Sequence, residues 1–241
     1  MPGPVVDPRA ARLLERYGAR FGGPDLPVPV EAIAEDLLGL AVALDDHLQV
    51  AGMLLPARRE IWLNGAEAAA SHGRRRFTLA HELGHVRCKH DGKLVVESYE
   101  TLNGGTTNPR EIEANAFAAE FLIPRVAMEE LGIAGRNPTL DEVVVIAAHY
   151  GTSAIMALYR FKQFGLADDA CVSSLGTAIE AKEHFAAFER LSCSALPDRL
   201  GSLEELPYLS PPLCDSRLGA VLRGDAEAEP QLATAIARVL S

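Results

Sequence analysis

The amino-acid sequence predicts an α+β fold that is mainly helical and carries one small antiparallel sheet. Apolar residues recur at helical spacing through most of the chain, on both sides of a short central segment. In that segment, residues 40–63, the apolar runs are short, partly alternating, and separated by turn residues. Helix-capping signals, Asp7-Pro8 and Thr139-Leu140-Asp141-Glu142, open two of the helical stretches.

Composition and charge narrow the class of protein. The 241 residues are enough to bury a substantial apolar core, and 48% of them are hydrophobic against 23% charged. The net charge of -10 disfavours a surface built to wrap phosphate backbones, so direct DNA binding is disfavoured. Four widely spaced cysteines without a CxxC pair do not form a disulfide framework. Because neither a signal peptide nor an apolar run of about 20 residues is visible, we expect a soluble cytoplasmic protein without a membrane partner.

The first 70 residues predict two helices and the sheet. Asp7-Pro8 supplies an N-cap followed by proline at the first helical position, and a helix is predicted from there to Phe21. A second helix is predicted from Pro29 to the stop signal Gly39. Strands are predicted over residues 40–44, 50–55 and 60–63, and the alanines at 66–70 are expected to lead into the next long helix.

The most informative stretch is residues 77–88, Phe-Thr-Leu-Ala-His-Glu-Leu-Gly-His-Val-Arg-Cys. On a helix, residues four apart share a face, so His81 and His85 can direct imidazole nitrogens at one metal ion. Glu82 then lies beside the metal, where it can take a proton from an activated water. This His-Glu-x-x-His pattern is typical of zinc metalloproteases. By analogy with such enzymes, the strand at 60–63 is expected to be an edge strand that aligns a substrate backbone.

Such a site needs a third protein ligand, because catalytic zinc usually has three. The next strong helix, predicted over residues 110–123 after a loop at 93–109, carries the carboxylates Glu111 and Glu113. Asn115 follows Glu111 by four residues, where it can accept a proton from the second nitrogen of a ligand histidine. Glu113 lacks that companion and points about 200 degrees away from Glu111 on a helix, so only one of them faces the metal. The spacing favours Glu111 and leaves Glu113 as the alternative.

Other polar residues near the motif are expected to have structural or solvated roles. Cys88 shares the face of His81 and can lie near the metal, but a lone helical cysteine is more often a core residue. His90 and His72 flank the helix, and a solvated side chain is predicted for each over a contact with substrate. Arg74-Arg75-Arg76 is predicted to be a solvated helix face rather than a phosphate site. Three histidines lack any surrounding motif: His47, His149 and His184.

The last hundred residues predict more helices. The capping box at Thr139 opens a helix that ends at Gly151, and a second short helix runs from Ser153 to Gly165. Two helices joined so tightly resemble a helix-turn-helix, but the acidic chain favours a plain helical hairpin that closes the domain. Further helices are predicted over residues 174–191 and 230–240, with a proline-broken stretch between them.

Two segments together resemble a known family. They are Arg76-Phe77-Thr78-Leu79-Ala80-His81-Glu82-Leu83-Gly84-His85 and Glu111-x-x-Ala114-Asn115-x-Phe117-Ala118-x-x-Phe121-Leu122-Ile123-Pro124, and they closely resemble the ImmA/IrrE family of metallopeptidases. The resemblance extends over roughly residues 5–166 and leaves the last third of the chain unmatched. It implies a zincin-like domain at residues 5–135 and a helix-turn-helix-like hairpin at 136–166. Residues 167–241 are predicted from the sequence pattern to form a helical C-terminal region of unknown role.

The resemblance also implies a set of roles. His81 and His85 are implied as zinc ligands, Glu82 as general base, and Glu111 as third ligand. Family members are bacterial or phage proteins, several of which cleave a helix-turn-helix repressor and thereby switch on stress, mobile-element or phage genes. IrrE-type proteins carry a sensor-like C-terminal domain, for which residues 167–241 are too short and too proline-broken.

The leading hypothesis is therefore a cytoplasmic zinc endopeptidase that acts on a repressor protein. A rival hypothesis is a non-proteolytic zinc-binding regulator that contacts DNA or a partner protein through the helices at 139–165. A third is a peptidase that acts on a toxin–antitoxin or phage protein. The sequence leaves the substrate, the activating signal and the oligomeric state open.

Overall fold

The computed structural model describes residues 7–22, 27–90, 95–97, 107–125 and 136–192. These residues form a mostly helical α+β fold with one small mixed sheet. The helices are α1 (Pro8–Phe21), α2 (Val30–Ala32, continued by a π-helical turn at Ile33–Leu37), α3 (Gly65–Ala70), α4 (His72–Cys88), α5 (Pro109–Leu122), α6 (Leu140–Tyr150), α7 (Ala154–Gln163), α8 (Asp169–Glu180) and α9 (Glu183–Ser192). The strands are β1 (Ala41–Asp45), β2 (Gly52–Leu55), β3 (Glu60–Asn64) and β4 (Val95–Glu97).

Local capping chemistry sets the ends of several helices as the sequence predicts. Asp7 caps α1 by accepting a hydrogen bond from the Arg9 backbone, and Gly22 ends this helix in the left-handed conformation. Thr139 and Glu142 form the predicted capping box of α6. The alanines before α4 form the separate short helix α3, because Ser71 adopts an extended conformation and caps α4 itself.

The sheet differs from the predicted antiparallel arrangement. Its strand order is β1-β3-β2-β4, with β1 parallel to β3 and the other two pairs antiparallel. The chain reverses direction twice between β1 and β3, so these two strands run the same way. Because β2 already pairs with one edge of β3, β1 pairs with the other edge. Within the described strands, β3 is therefore internal, and the expectation that residues 60–63 form an edge strand is wrong. The edges are β1 and β4, and β4 lies where a loop was predicted.

Part of the predicted solvated arginine face is buried. Arg74 is exposed, but Arg75 contacts the buried Glu31 at 3.3 Å. Arg76 is 4% exposed, and its guanidinium donates to the backbone carbonyl of Val28 at 2.7 Å. Burial lowers the pKa of Arg76. Two of the three arginines thus fix α4 against α2 and the segment before it, rather than facing solvent.

Two apolar clusters fill the interior. The larger one joins α1, α2, the sheet, α4 and α5 through such residues as Leu13, Ile33, Ile61, Leu83 and Phe117. The smaller one joins α6, α7 and α8 to Ile123 at the end of α5. Met156 of α7 packs against both clusters. Helices α4 and α5 belong to the larger cluster, which holds the motif helix and its neighbour in place.

The later helices differ in detail from the prediction. Helices α6 and α7 turn by 107° across a three-residue break that contains Gly151. The predicted helix at 174–191 is two helices, since Lys182 takes a left-handed conformation (φ 63°) between α8 and α9. The predicted helix at 230–240 lies outside the described residues.

None of the described helices is by itself long and apolar enough to cross a membrane, and among them the bent pair α6–α7 meets the length and composition requirement when its two helices are taken together.

Candidate metal centre

Helix α4 presents two histidines on one buried face. His81 and His85 lie one helical turn apart, and their side chains are 0% and 1% exposed. The two Nε2 atoms are 3.0 Å apart, so both rings direct the same nitrogen at one point. Apolar neighbours on the same helix, Leu79 and Leu83, are fully buried and hold this part of α4 against the core.

Helix α5 reaches the histidines because Gly84 allows a close crossing. A Cβ atom on Gly84 would lie 2.9 Å from the carbonyl oxygen of Ala114 and 3.0 Å from its Cα. Any residue with a Cβ would force the two helices apart. The first turn of α5, capped by the Asn108 side chain, is thereby brought to the ligand face of α4.

Three side chains converge at this crossing. Glu111 Oε2 lies 3.2 Å from His81 Nε2 and 3.2 Å from His85 Nε2. With the 3.0 Å separation of the two nitrogens, the three atoms form a nearly equilateral triangle. Ligand atoms about 2.0 to 2.2 Å from a tetrahedral zinc ion stand roughly 3.3 to 3.6 Å apart, so this triangle is only slightly tighter than such a site requires. The residues fit a metal ion, and their donor set is one that catalytic zinc sites use.

Glu82 lies next to His81 on α4 and is fully buried. Its carboxylate occupies space beneath strand β2, because a Cβ atom at Gly52 would come within 2.7 Å of Glu82 Oε1. It would come equally close to the methyl group of Thr78. Gly52 therefore leaves room for this carboxylate between α4 and the sheet, and a side chain at position 52 would displace it.

Asn115 contacts His81 from the opposite side of the ring. Its Oδ1 lies 2.8 Å from His81 Nδ1. An amide oxygen accepts hydrogen bonds, so Nδ1 carries the proton and Nε2 presents a lone pair to the triangle. The arrangement is the one expected from the spacing of Glu111 and Asn115, and it holds His81 in the tautomer that binds a metal through Nε2.

Glu113 points away from the triangle. Its Oε2 lies 2.8 Å from His90 Nε2, and its Oε1 lies 2.6 Å from Nη1 of Arg9 on α1. Hydrogen bonds from His90 and Arg9 lower the pKa of Glu113. The structure thus brings Glu111 to the two histidines of α4, and it places Glu113 in a second group with His90 and Cys88.

A comparison with known families bears on these residues. A family model described as the IrrE N-terminal-like domain, from a family of peptidases, matches residues 42–162, just over half of the 241 residues. The chain belongs to the IrrE N-terminal-like domain family. The match is consistent with the resemblance to ImmA/IrrE proteins, and the matched range contains all of His81, Glu82, His85, Glu111 and Asn115. Membership supports a metallopeptidase-like function for the matched segment.

Two further comparisons add little to the IrrE-like assignment. No curated protein matches the chain. Among solved structures, a Mycobacterium tuberculosis transcriptional regulator aligns with 18% identity and a TM-score of 0.42, over 64% of this chain and 46% of that one. This chain therefore corresponds to less than half the length of that regulator.

Two residues near this IrrE-like site, His90 and Gly52, were not identified as site residues from the sequence. His90 was expected to be solvated, but its side chain is 7% exposed and its Nδ1 lies 2.8 Å from His85 Nδ1. It folds back because Lys89 ends α4 in the left-handed conformation (φ 56°), which nothing in a lysine signals. Gly52 had a usable signal, since a glycine inside a strand pattern often marks close approach of another group. His72, the other flanking histidine, begins α4; burial and the charges of Arg76 and Arg75 lower its pKa to about 4.

Proposed function

We propose that the protein is a zinc-dependent endopeptidase, with His81, His85 and Glu111 as the metal ligands and Glu82 as the general base. The observation that carries this proposal is the convergence of Glu111 Oε2 on both histidine nitrogens at 3.2 Å. The buried Glu82 beside His81 and the peptidase family match support it. When bound, zinc supplies Lewis-acid activation of a water molecule and of a peptide carbonyl.

The protein's own residues perform the remaining steps. Glu82 takes the proton of the attacking water and passes it to the nitrogen of the departing amine, as a general base that becomes a general acid. Gly52 leaves space between α4 and β2 for the Glu82 carboxylate, so the carboxylate can stay beside the metal position during this transfer. Asn115 holds His81 with Nε2 facing the metal position.

The proposed substrate is a helix-turn-helix repressor, whose cleavage would derepress stress, mobile-element or phage genes. The resemblance to ImmA/IrrE proteins supports this choice. The proposed organisation is a zincin-like domain at residues 5–135, a helical hairpin at 136–166 and a helical C-terminal region at 167–241, in a cytoplasmic protein. A toxin–antitoxin or phage protein is the alternative substrate.

Replacement of the Glu82 carboxylate by an amide tests whether Glu82 is the general base of peptide cleavage. Glu82→Gln is expected to keep its zinc and its fold but to lose cleavage of a helix-turn-helix repressor supplied as substrate, because an amide cannot accept the proton of water. Cleavage is measured by mass spectrometry of the products, and zinc content by metal analysis. Glu180→Gln, an exposed change on α8, is the matched control and should cleave normally. Cleavage by Glu82→Gln at the wild-type rate would contradict the mechanism.

A second candidate is a regulator that contacts DNA through α6 and α7. Their 107° turn and glycine-containing break fall in the range of helix-turn-helix motifs. Other contacts count against it: Arg160 of α7 is 2% exposed and bound to Glu120, so it offers no charge to a phosphate. The start of α7 is also covered, since a Cβ on Gly73 of α4 would lie 2.6 Å from the Ser153 nitrogen. DNA binding that weakens steeply with salt would favour this candidate.

A further inference from the structure

A hydrogen-bonded chain of polar side chains leads from His85, through His90 and Glu113, to Arg9 at the start of α1. His85 Nδ1 lies 2.8 Å from His90 Nδ1, and His90 Nε2 lies 2.8 Å from Glu113 Oε2. Glu113 Oε1 in turn lies 2.6 Å from Nη1 of Arg9. Arg9 is itself held by the buried N-cap residue Asp7, whose Oδ2 lies 2.6 Å from Arg9 Nη2. These residues connect three elements, α4, α5 and α1.

The positions of the protons in this chain follow from its two ends. His85 Nε2 faces Glu111 and His81, so metal binding there requires a lone pair on Nε2 and a proton on Nδ1. That proton is donated to His90 Nδ1, which must then be the unprotonated nitrogen of His90. The proton of His90 is consequently on Nε2, which donates to the Glu113 carboxylate. Every hydrogen bond has one donor and one acceptor, with His90 neutral.

The same residues could instead form a second metal site, because Cys88 Sγ lies within 4.8 Å of the ligand atoms of His90 and Glu113. Two observations favour the hydrogen-bonded chain. The 2.8 Å contact between His90 Nε2 and Glu113 Oε2 is a direct hydrogen bond. The Arg9 cation already neutralises Glu113, so this carboxylate has its counter-charge within the protein.

We propose that His90, Glu113 and Arg9 are positioning residues that fix the tautomer and ring orientation of His85, and so set the metal affinity of the site. This inference rests on the proposed function only in taking His85 as a metal ligand. Asn115 fixes the orientation of His81 through one direct hydrogen bond. His85 is oriented through a series of contacts that ends in an ion pair with α1, so the packing of α1 is coupled to the geometry of the metal ligands.

The test measures zinc affinity by competition with a chelator, on the full chain. His90→Leu removes the acceptor for His85 Nδ1 and is expected to weaken zinc binding by about 10- to 100-fold. His90→Gln should restore affinity to within a few fold, because its amide oxygen can accept from His85 as Asn115 does from His81. Arg9→Gln should weaken binding, whereas Arg12→Gln, an exposed change on the same helix, should not. If His90→Leu does not fold, Glu113→Ala replaces it, since the Glu113 side chain is 42% exposed.

A second readout reports the tautomer without any cleavage assay. Nitrogen-15 NMR of the zinc-loaded protein is expected to show His90 protonated on Nε2 and His85 on Nδ1. Zinc content is expected to be one ion per chain and unchanged in Cys88→Ser. Wild-type affinity in His90→Leu or Glu113→Ala, or a proton on His90 Nδ1, would overturn the inference. Two zinc ions, one of them lost in Cys88→Ser, would overturn it in favour of a second metal site. Cleavage by Glu82→Gln at the wild-type rate would refute the general-base role of Glu82 and leave this inference standing. Zinc binding without any cleavage by the wild type would refute the endopeptidase and also leave this inference standing.

Discussion

The two ends of helix α5 bury carboxylates in different ways. At its C-terminal end, Glu120 is 4% exposed and is bound by cationic and amide donors: Arg160 Nη2 at 2.8 Å and the Arg125 backbone at 3.0 Å. Arg160 also donates to the carbonyl of Ile123, which helps to end the helix. At its N-terminal end, Glu111 faces the nitrogens of His81 and His85 at 3.2 Å.

The difference lies in the balance of charge. At the C-terminal end of α5, the Glu120 carboxylate and the Arg160 guanidinium neutralise each other, so no further ion is needed to balance the charge there. At the other end a carboxylate meets two imidazoles at 3.2 Å, and in the tautomers that metal binding requires, with the outer nitrogens protonated, three lone pairs point at one position. A cation at that position would balance them. Burial of polar groups alone therefore does not mark a functional site; convergence of three potential metal ligands on one point does.

Removal of the Glu111 carboxylate should give the largest difference between the two ends. Glu111→Ala is expected to lose zinc on desalting, a loss beyond the about 10- to 100-fold that removal of an outer partner causes. Glu120→Gln, the control at the other end, should keep its zinc and lose stability instead. Metal analysis and chemical denaturation measure the two effects. If Glu113→Ala releases zinc while Glu111→Ala retains it, the choice of third ligand is wrong.

The N-terminal end of α5 was predictable because its signals are local. Helical spacing within α4 places His81 and His85 on one face, and the spacing within α5 places Asn115 with Glu111. The caps at Asp7 and Thr139 are likewise read from adjacent residues. No distant part of the chain has to be placed to make these predictions.

The remaining features depend on contacts that are remote in sequence. The parallel pairing of β1 with β3 and the burial of Arg76 against Val28 arise from packing that spacing does not encode. The Glu120–Arg160 pair joins residues 40 positions apart. The position of His90 depends on a left-handed Lys89, a conformation that costs energy for a lysine. Backbone hydrogen bonds from Lys89 and His90 to the last turn of α4, and the contact of the His90 ring with His85, stabilise it.

Disruption of the balanced end should affect stability and leave metal binding intact. Arg160→Met leaves Glu120 buried without its cation and is expected to cost about 3 to 5 kcal/mol in free energy of unfolding. The zinc affinity of the folded protein should stay unchanged. Lys162→Met is the matched control, because Lys162 lies on the same helix and contacts Asp169 at the same 2.8 Å, but is exposed. Its unfolding midpoint should equal that of the wild type. Equal effects of the two variants would show that burial of the pair is unimportant.

The smallest effect is expected where α4 and α5 cross, at Gly84. Gly84→Ala places a methyl group 2.9 Å from the Ala114 carbonyl, so the helices must separate, at a cost of about 1 to 3 kcal/mol in free energy of unfolding. Because Ala114 lies between Glu111 and Asn115, zinc affinity should fall as well. Gly176→Ala on α8 is the control: nothing lies within 4 Å of its Cβ position, so it should be neutral or stabilise the helix by up to about 1 kcal/mol. A loss of stability in Gly84→Ala without any loss of zinc affinity would mean that the crossing supports the core but does not set the ligand triangle.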